Sequence, residues 1–258
     1  MANREPVLRA IFLGASNLKA SLPDLVSGVR QRAGGPVEAF AACGHGRSYG
    51  SSSRFLFVRR LPGIAGCGLW RELEGAPPRR TVALVTDVGN DLVYGARAEE
   101  IAAWVEACLD RLAHQQAEVM LTLLPLPRLV KLSPWQVRLA VAILFPGRPA
   151  PWPGLLDRAR ELDERLRRMG RERGVRLVEP EAAWYGIDPI HLRRRVRRQV
   201  WDRVLSLGLP EADATHRQTA VRPRIPPWGA AELRLFGATL RTAQPAVRFP
   251  DGTTVALY

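Results

Sequence analysis

Short apolar runs alternate with longer segments of helical periodicity up to residue 208, and this alternation limits the folds open to the chain more than any other feature. Strands that alternate with helices are typical of a parallel sheet with helices on both faces. We therefore expect an α/β fold, namely a three-layer α/β/α, flavodoxin-like domain of about five parallel strands. The apolar runs that predict strands cover residues 7–13, 37–42, 81–85, 118–124 and 175–178. The segments that predict helices cover residues 19–32, 97–114, 155–173 and 191–207.

Residues 125–154 interrupt the alternation, because they are apolar and punctuated by proline. They predict either an extra helix packed on the domain or a lid or interfacial segment that faces anionic headgroups. In the second interpretation Trp135, Phe145 and Trp152 would be aromatic anchors. The basic residues that flank the apolar positions are Arg128, Lys131, Arg138 and Arg148.

The chain beyond residue 208 also departs from the pattern. A proline-rich linker is followed by short strand-like runs, with Asp251-Gly252 as the turn of a hairpin. We expect a main domain at residues 1–208 and, at residues 209–258, a linker with a short β-rich hairpin extension. The hairpin could mediate oligomerisation or pack on the core as a pair of strands, and the sequence leaves both open.

The net charge is +13, and arginine carries almost all of it because lysine occurs only at Lys19 and Lys131. Such a charge favours anionic partners such as anionic lipid, nucleic acid or acidic substrates. The basic residues are spread along the chain, which argues against a nucleic-acid-binding protein. Cys43, Cys67 and Cys108 have no metal-ligand spacing, so we expect free thiols in a reducing compartment. Because no apolar run is long enough for a signal peptide or a transmembrane helix, we expect a cytoplasmic protein.

A serine lies where the first predicted strand turns into the first helix. The apolar run of residues 7–13 is followed by Gly14, and Ser16 comes two residues later. Ligands bind beyond the carboxyl ends of strands in open α/β sheets, so Ser16 could be a nucleophile near a helix N-terminus. The same position suits a serine that only caps the helix. A base and oxyanion donors at the same sheet edge would favour the first role.

A histidine and an aspartate that suit this chemistry follow the fifth predicted strand. His191 lies at the same sheet edge as Ser16, and Asp188, three residues earlier, can accept a hydrogen bond from the imidazole. The remaining histidines are His45 in a glycine-rich loop, His114 late in a helix and His216 in the polar tail.

Donors for an oxyanion follow the second and third predicted strands. Gly44 and Gly46 offer backbone N–H groups in the loop after residue 42, and Asn90 offers a side-chain amide after residue 85. Four strand ends would thus each supply one part of a site for nucleophilic serine chemistry. Such convergence is much harder to attribute to chance than any single residue.

Four blocks of sequence, in this order, resemble those of the SGNH, or GDSL-type, serine hydrolase superfamily. Gly14-Ala15-Ser16-Asn17 resembles the nucleophile motif Gly-Asp-Ser-Leu, and Gly44 resembles the oxyanion glycine. Gly89-Asn90-Asp91 matches Gly-x-Asn-Asp, and Asp188-Pro189-Ile190-His191 matches Asp-x-x-His. The resemblance covers about residues 7–207. The first block departs from the family pattern twice, with Ala15 in place of the aspartate and Asn17 in place of the leucine.

The resemblance implies a serine-dependent hydrolase of acyl esters, of the esterase, lipase-like or thioesterase kind, which needs no metal and no cofactor. Ser16 would be the nucleophile, His191 the general base and Asp188 the residue that orients His191. The groups that would stabilise the oxyanion are the N–H of Ser16, the N–H of Gly44 and the side-chain amide of Asn90.

Two further residues are candidates for contact with the substrate, which we expect to be a small-molecule or lipid acyl ester. Arg47 follows Gly44 and Gly46 and could meet a substrate anion, although a solvated surface arginine would look the same in sequence. Trp135 would act from the interfacial segment, with peripheral contact to an anionic membrane. A function of another class also fits the altered first block and the basic charge. It is that of a weakly active or inactive SGNH-like protein that binds anionic lipid or another acidic partner.

Overall fold

The computed structural model describes residues 5–55, 59–144, 154–210, 224–226 and 229–258. The strands in these residues are β1 (Leu8–Leu13), β2 (Val37–Ala42), β3 (Ser53–Phe55), β4 (Arg59–Leu61), β5 (Thr81–Val85), β6 (Glu118–Thr122), β7 (Arg176–Val178), β8 (Glu232–Leu235), β9 (Ala238–Arg241), β10 (Val247–Arg248) and β11 (Thr254–Leu257). The α-helices are α1 (Ser16–Ala33), α2 (Leu69–Glu74), α3 (Asn90–Val93), α4 (Ala98–His114), α5 (Leu126–Leu129), α6 (Pro134–Leu144), α7 (Leu155–Glu172) and α8 (Arg194–Gly208).

The central sheet has seven strands in the order β10-β11-β2-β1-β5-β6-β7. Neighbouring strands from β11 to β7 are parallel, whereas β10 is antiparallel to β11. Within β1, Ile11 lies opposite Phe40 of β2 and opposite Ala83 of β5. All of β1 is buried, as expected for a parallel strand in the middle of a sheet with helices on both faces.

Two apolar layers hold helices against this sheet. On one face α1 packs against α8, and Leu22 and Val204 belong to the same core cluster. On the other face α4 packs against α7, and Leu109 and Leu162 belong to a second cluster. The predicted α/β/α architecture is confirmed. The four predicted helices are present, with the last beginning at Arg194, so that His191 lies in the turn before it.

The five predicted strands are present, and the sheet is larger than predicted because the end of the chain joins it. β11 pairs in parallel with β2, with Val255 opposite Ala39, and β10 and β11 form the predicted hairpin. Val255 and Leu257 are buried, so this strand packs on the core. Part of the predicted extension therefore belongs to the central sheet. The division of the chain into domains at residue 208 stays a prediction.

A second sheet joins the tail to an early segment. Its four strands are antiparallel and follow the order β3-β4-β8-β9, so that β4 pairs with β8 across more than half of the sequence.

The described part of residues 125–154 contains α5 and α6. Val137 and Val141 of α6 are buried against a group that includes Leu132, Leu155 and Ile190. Phe145 and Trp152, which were predicted to be aromatic anchors, lie outside the described residues. Among the helices that the structure describes, none is long and apolar enough to cross a membrane.

Candidate active site

Ser16, His191 and Asp188 meet at the carboxyl edge of the central sheet. Ser16 is the first residue of α1 and follows the end of β1 after Gly14 and Ala15. Its Oγ lies 2.8 Å from Nε2 of His191, and Nδ1 of His191 lies 2.6 Å from Oδ2 of Asp188. A carboxylate only accepts, so Nδ1–H donates to Asp188, and Nε2 can then accept the hydroxyl proton of Ser16.

Asp188 also fixes the backbone of the turn that carries His191. Its Oδ1 accepts the backbone N–H groups of Ile190 at 3.0 Å and of His191 at 3.1 Å. The spacing of three residues therefore lets one carboxylate oxygen hold the turn while the other orients the imidazole.

The charges around the imidazole raise the pKa of His191 above its ordinary value. Burial lowers this pKa, but the hydrogen bond and charge of Asp188 and the charge of Asp87 outweigh burial and the opposing charge of Arg197. For Asp188 burial raises the pKa, but the hydrogen bond and charge of His191 and the two backbone donors lower it by more, so that the net pKa is lowered. The pair is therefore poised for His191 to accept a proton.

Asn90 lies beside Ser16, and both residues line one cavity. Asn90 begins α3 directly after Gly89, and its Nδ2 is 3.5 Å from the backbone carbonyl oxygen of Arg47. The side-chain amide of Asn90 is thus held between the cavity and the glycine loop, which we define as residues 43–50.

The glycine loop contains both candidate oxyanion glycines. Gly44 is buried, and its carbonyl oxygen accepts the N–H of Arg47 at 3.2 Å. Gly46 has a φ of +61°, and its carbonyl oxygen accepts the hydroxyl of Tyr94 at 2.6 Å. A Cβ on Gly46 would lie 2.6 Å from that hydroxyl oxygen. The left-handed backbone and this close approach are enough to explain why residue 46 is glycine.

The carboxylate of Asp91 binds the glycine loop. Its carboxylate accepts the hydroxyl of Ser48 and, at 2.8 Å, the N–H of Tyr49. Burial raises the pKa of Asp91 to about 6, and the bonds from Ser48 and Tyr49 oppose that shift. The residue after Asn90 therefore supports the loop.

Arg47 does not face a substrate, which corrects the prediction made from sequence. The side chain is 0% exposed. Its guanidinium donates to the carbonyl oxygens of Tyr258 and, at 3.2 Å, of Pro62. Because these acceptors are backbone atoms distant in sequence, the residue type alone could not reveal that Arg47 is structural.

Asn17 and Asp87 are parts of the site that sequence reasoning missed. Asp87 follows β5 in a left-handed conformation, with a φ of 59°, and its carboxylate faces the start of α1. Nδ2 of Asn17 donates to Oδ1 of Asp87 at 2.8 Å. The only signal in the sequence was that Asn17 replaces the leucine of the family motif.

The cavity beside Ser16 is lined by a few polar and many apolar side chains. The polar ones include Ser16, Asn17, Asp87 and Asn90. The apolar side chains that line the rest include Leu124, Leu129, Leu132, Val137, Val141 and Leu155.

Trp135 lies outside the described lining of this cavity and is 65% exposed. Helical periodicity places residue 135 on the face of α6 opposite Val137 and Val141. Trp135 is thus placed outside the cavity, and its contact with substrate from the interfacial segment stays a prediction.

The remaining histidines lie apart from the triad where the structure describes them. His45 and His114 are exposed, and His216 is outside the described residues. Among the described residues, no group of three or more His, Cys, Asp or Glu side chains could hold a metal ion.

Comparison with known proteins finds matches among solved structures. No protein-family model and no curated protein matches the sequence. The chain is similar to the acetyl xylan esterase AlAXEase at 16% identity and a TM-score of 0.49, over 77% of this chain and 98% of that one. It is similar to TesA at 12% identity and a TM-score of 0.48, over 78% and 99% of the two chains. It is also similar to a GDSL-like lipase from Bacteroides thetaiotaomicron at 10% identity and a TM-score of 0.47, over 77% and 86%. The assignment of the site rests on the distances given above.

Proposed function

We propose that this protein hydrolyses acyl esters through a triad of Ser16, His191 and Asp188. The observation that supports this most strongly is the run of short contacts from Ser16 Oγ to His191 Nε2, at 2.8 Å, and from His191 Nδ1 to Asp188 Oδ2, at 2.6 Å. A serine hydroxyl is a weak nucleophile and needs a base within about 2.6–3.2 Å. The triad meets that requirement, and Ser16 lines a largely apolar cavity.

The reaction would proceed in two halves. Ser16 Oγ attacks the ester carbonyl carbon and gives its proton to Nε2 of His191, which passes it to the alcohol oxygen as the ester C–O bond breaks. Water then attacks the acyl-serine and gives a proton to His191. That proton returns to Ser16 Oγ as the carboxylic acid leaves. Asp188 stabilises the imidazolium in both halves.

Negative charge develops on the carbonyl oxygen in each half, and we propose three donors to stabilise it. The N–H of Ser16 lies at the N-terminus of α1, where the helix dipole favours negative charge. The N–H of Gly44 would act from the glycine loop, and the side-chain amide of Asn90, which lines the cavity with Ser16, would act from α3. Loss of one such donor costs about 100- to 1000-fold in rate.

The apolar cavity favours an ester whose acyl chain is apolar. Leu124, Leu132 and Val141 are among the side chains that would surround that chain beyond the reacting carbonyl. Each buried CH2 group contributes about 0.8 kcal/mol of binding. The specificity for p-nitrophenyl esters should therefore rise from acetate to longer acyl chains until the cavity is filled.

The test compares Ser16→Ala with Ser21→Ala on short p-nitrophenyl esters. Ser21 is a matched control because it lies on the same helix, is buried, and has a hydroxyl without a hydrogen-bond partner among the described residues. We expect Ser16→Ala to lose activity and Ser21→Ala to keep it, with both variants folded. Equal hydrolysis by Ser16→Ala and wild type would refute the proposal.

The outer face of α6 supports a second proposal, that the protein binds an anionic lipid surface. Trp135, Leu139 and Ile143 are spaced four residues apart and are 65%, 50% and 67% exposed. Residues 126–144 contain three basic residues and no acidic one, so their charge complements anionic headgroups. The opposite face of the same helix lines the cavity beside Ser16.

Sedimentation with vesicles tests this second proposal. The protein should sediment with vesicles of phosphatidylcholine and phosphatidylglycerol, and less with phosphatidylcholine alone. Leu139→Ser should weaken binding, whereas Leu207→Ser, at a position 44% exposed on α8, should not. Equal binding by the two variants, or no binding by wild type, would exclude α6 as the lipid-binding face. Catalytic activity on soluble esters does not depend on this outcome.

A further inference from the structure

The side chain of Asn17 uses all of its hydrogen-bonding groups at the triad. Nδ2 donates to Asp87 and also to the carbonyl oxygen of Ile190, each at 2.8 Å. Oδ1 accepts the N–H of Leu192 at 2.9 Å. The residues before and after His191 are thus both bound to the neighbour of Ser16.

Asp87 holds the backbone around Ser16, the nucleophile of the Ser16–His191 pair. Its Oδ2 accepts the N–H of Ala15 at 2.9 Å and the N–H of Leu18 at 3.1 Å, so it binds the backbone on both sides of Ser16. A negative charge at the start of a helix is favourable. Asp87 adopts a φ of 59°, which is uncommon outside glycine and which its bonds to this turn help to maintain.

We propose that Asn17 and Asp87 are positioning residues that set the distance between Ser16 Oγ and His191 Nε2. Asp87 fixes the backbone around Ser16, Asn17 fixes the backbone around His191, and the two side chains are bonded to each other. The inference rests on the proposed function.

The same arrangement accounts for both departures from the family motif. Ala15 has no carboxylate of its own, and the carboxylate that accepts its N–H belongs to Asp87. A leucine at position 17 could make none of the bonds to Asp87, Ile190 and Leu192. The altered motif is therefore compatible with an active enzyme.

Asp87 also acts on His191 through its charge. The charged groups that face the imidazole are Asp188 and Asp87, which raise the pKa of His191, and Arg197, which lowers it. Because His191 must be neutral to accept a proton, a lower pKa moves the acid limb of the pH–rate profile to lower pH. Asp87→Asn should produce that shift, which a purely structural role would not.

Asn17→Leu is the first variant, and Gln244→Met is its matched control. Gln244 also bridges backbone groups, since it donates to Gly229 and Thr242 and accepts from Ala246 and Leu257, but it lies in the tail. We expect Asn17→Leu to lower kcat about 100-fold, the loss that a misplacement of about 1 Å causes. KM should change by less than about threefold, because the apolar cavity is intact. Gln244→Met should leave kcat unchanged.

Asp87→Asn is the second variant and keeps the shape of the side chain. We expect a loss of about tenfold in kcat and an acid limb at lower pH than in wild type. The double variant should lose less than the product of the two single losses, because the residues act through one network.

A kcat within about threefold of wild type in a folded Asn17→Leu, or an additive double variant, would overturn the inference. If Asn17→Leu does not fold, Asp87→Asn decides alone, and an unchanged kcat and acid limb would overturn it. If Ser16→Ala keeps activity, the proposed function itself fails. If Ser16→Ala is inactive but Asn17→Leu and Asp87→Asn match wild type, the result supports the triad and contradicts the positioning role of Asn17 and Asp87.

Discussion

The nucleophile turn and the glycine loop lie at the ends of neighbouring strands but are held in different ways. The nucleophile turn, residues 14–18, is bound through Asp87 and Asn17 to the turn that carries His191. The glycine loop is bound to Asp91 and, through Arg47, to backbone carbonyl groups of the tail and of residue 62.

Because of this difference, substitutions in the two regions should change different measured quantities. Changes around the nucleophile turn alter the distance and charge between the reacting groups, so they should act on kcat. Changes to Arg47 or Asp91 remove buried contacts of the glycine loop that do not involve the triad residues, so they should act first on the free energy of unfolding.

Asp188→Asn should cause the largest loss of kcat among the variants considered for the comparison. An asparagine leaves the imidazole in the wrong tautomer, and a comparable change in a serine protease triad lowers kcat about 10 000-fold. Steady-state hydrolysis of a p-nitrophenyl ester, with circular dichroism as the control for folding, measures this. A loss smaller than tenfold would mean that Asp188 does not orient the base.

Asn90→Ala tests the residue that borders both regions. Because Asn90 lines the cavity with Ser16 and its amide also contacts the glycine loop, we expect a loss of about 100- to 1000-fold in kcat. KM should remain near that of wild type, since the donor acts mainly in the transition state. A rise in KM with unchanged kcat would instead assign Asn90 to substrate binding.

Arg47→Met should show the opposite pattern. The backbone carbonyl groups of Pro62 and Tyr258 would lose a buried donor, which costs about 1–3 kcal/mol in the free energy of unfolding. The kcat of the folded variant should stay within about threefold of wild type. Urea denaturation and steady-state kinetics on the same sample measure both quantities. A large loss of kcat without a loss of stability would contradict the comparison.

The pH dependence of stability tests the buried carboxylate that binds the glycine loop. The pKa of Asp91 is raised from 3.8 to about 6 in the folded protein by burial. The folded state therefore holds this proton more tightly than the unfolded state, and Asp91 makes stability fall as pH rises from 3.8 to about 6. Asp91→Asn removes this contribution, so the stability of the variant should fall less over that interval. If the free energy of unfolding depends on pH in the same way in wild type and in Asp91→Asn, Asp91 does not contribute to that dependence.

The residues of the triad could be inferred from the sequence more readily than the contacts that support them. Ser16, Asn90 and His191 each follow a strongly apolar run, and the carboxyl ends of parallel strands meet at one edge. The strands themselves were predictable for the same reason, since β2 and β5 are short runs of buried residues.

The supporting contacts could not be inferred, because they join residues far apart through side-chain geometry. Asp87 is 70 residues from Asn17, and Arg47 is 211 residues from the carbonyl group it binds. The position of β11 beside β2 was also hidden, since the sequence of a short strand does not identify the strand with which it pairs.

Mass spectrometry after reaction with a fluorophosphonate tests the central claim most directly. The account predicts one covalent adduct, located on Ser16, which forms rapidly in wild type and far more slowly in His191→Ala. Ester hydrolysis should fall in step with the labelled fraction. An adduct on another residue, or an unlabelled Ser16 in a protein that still hydrolyses esters, would contradict the account.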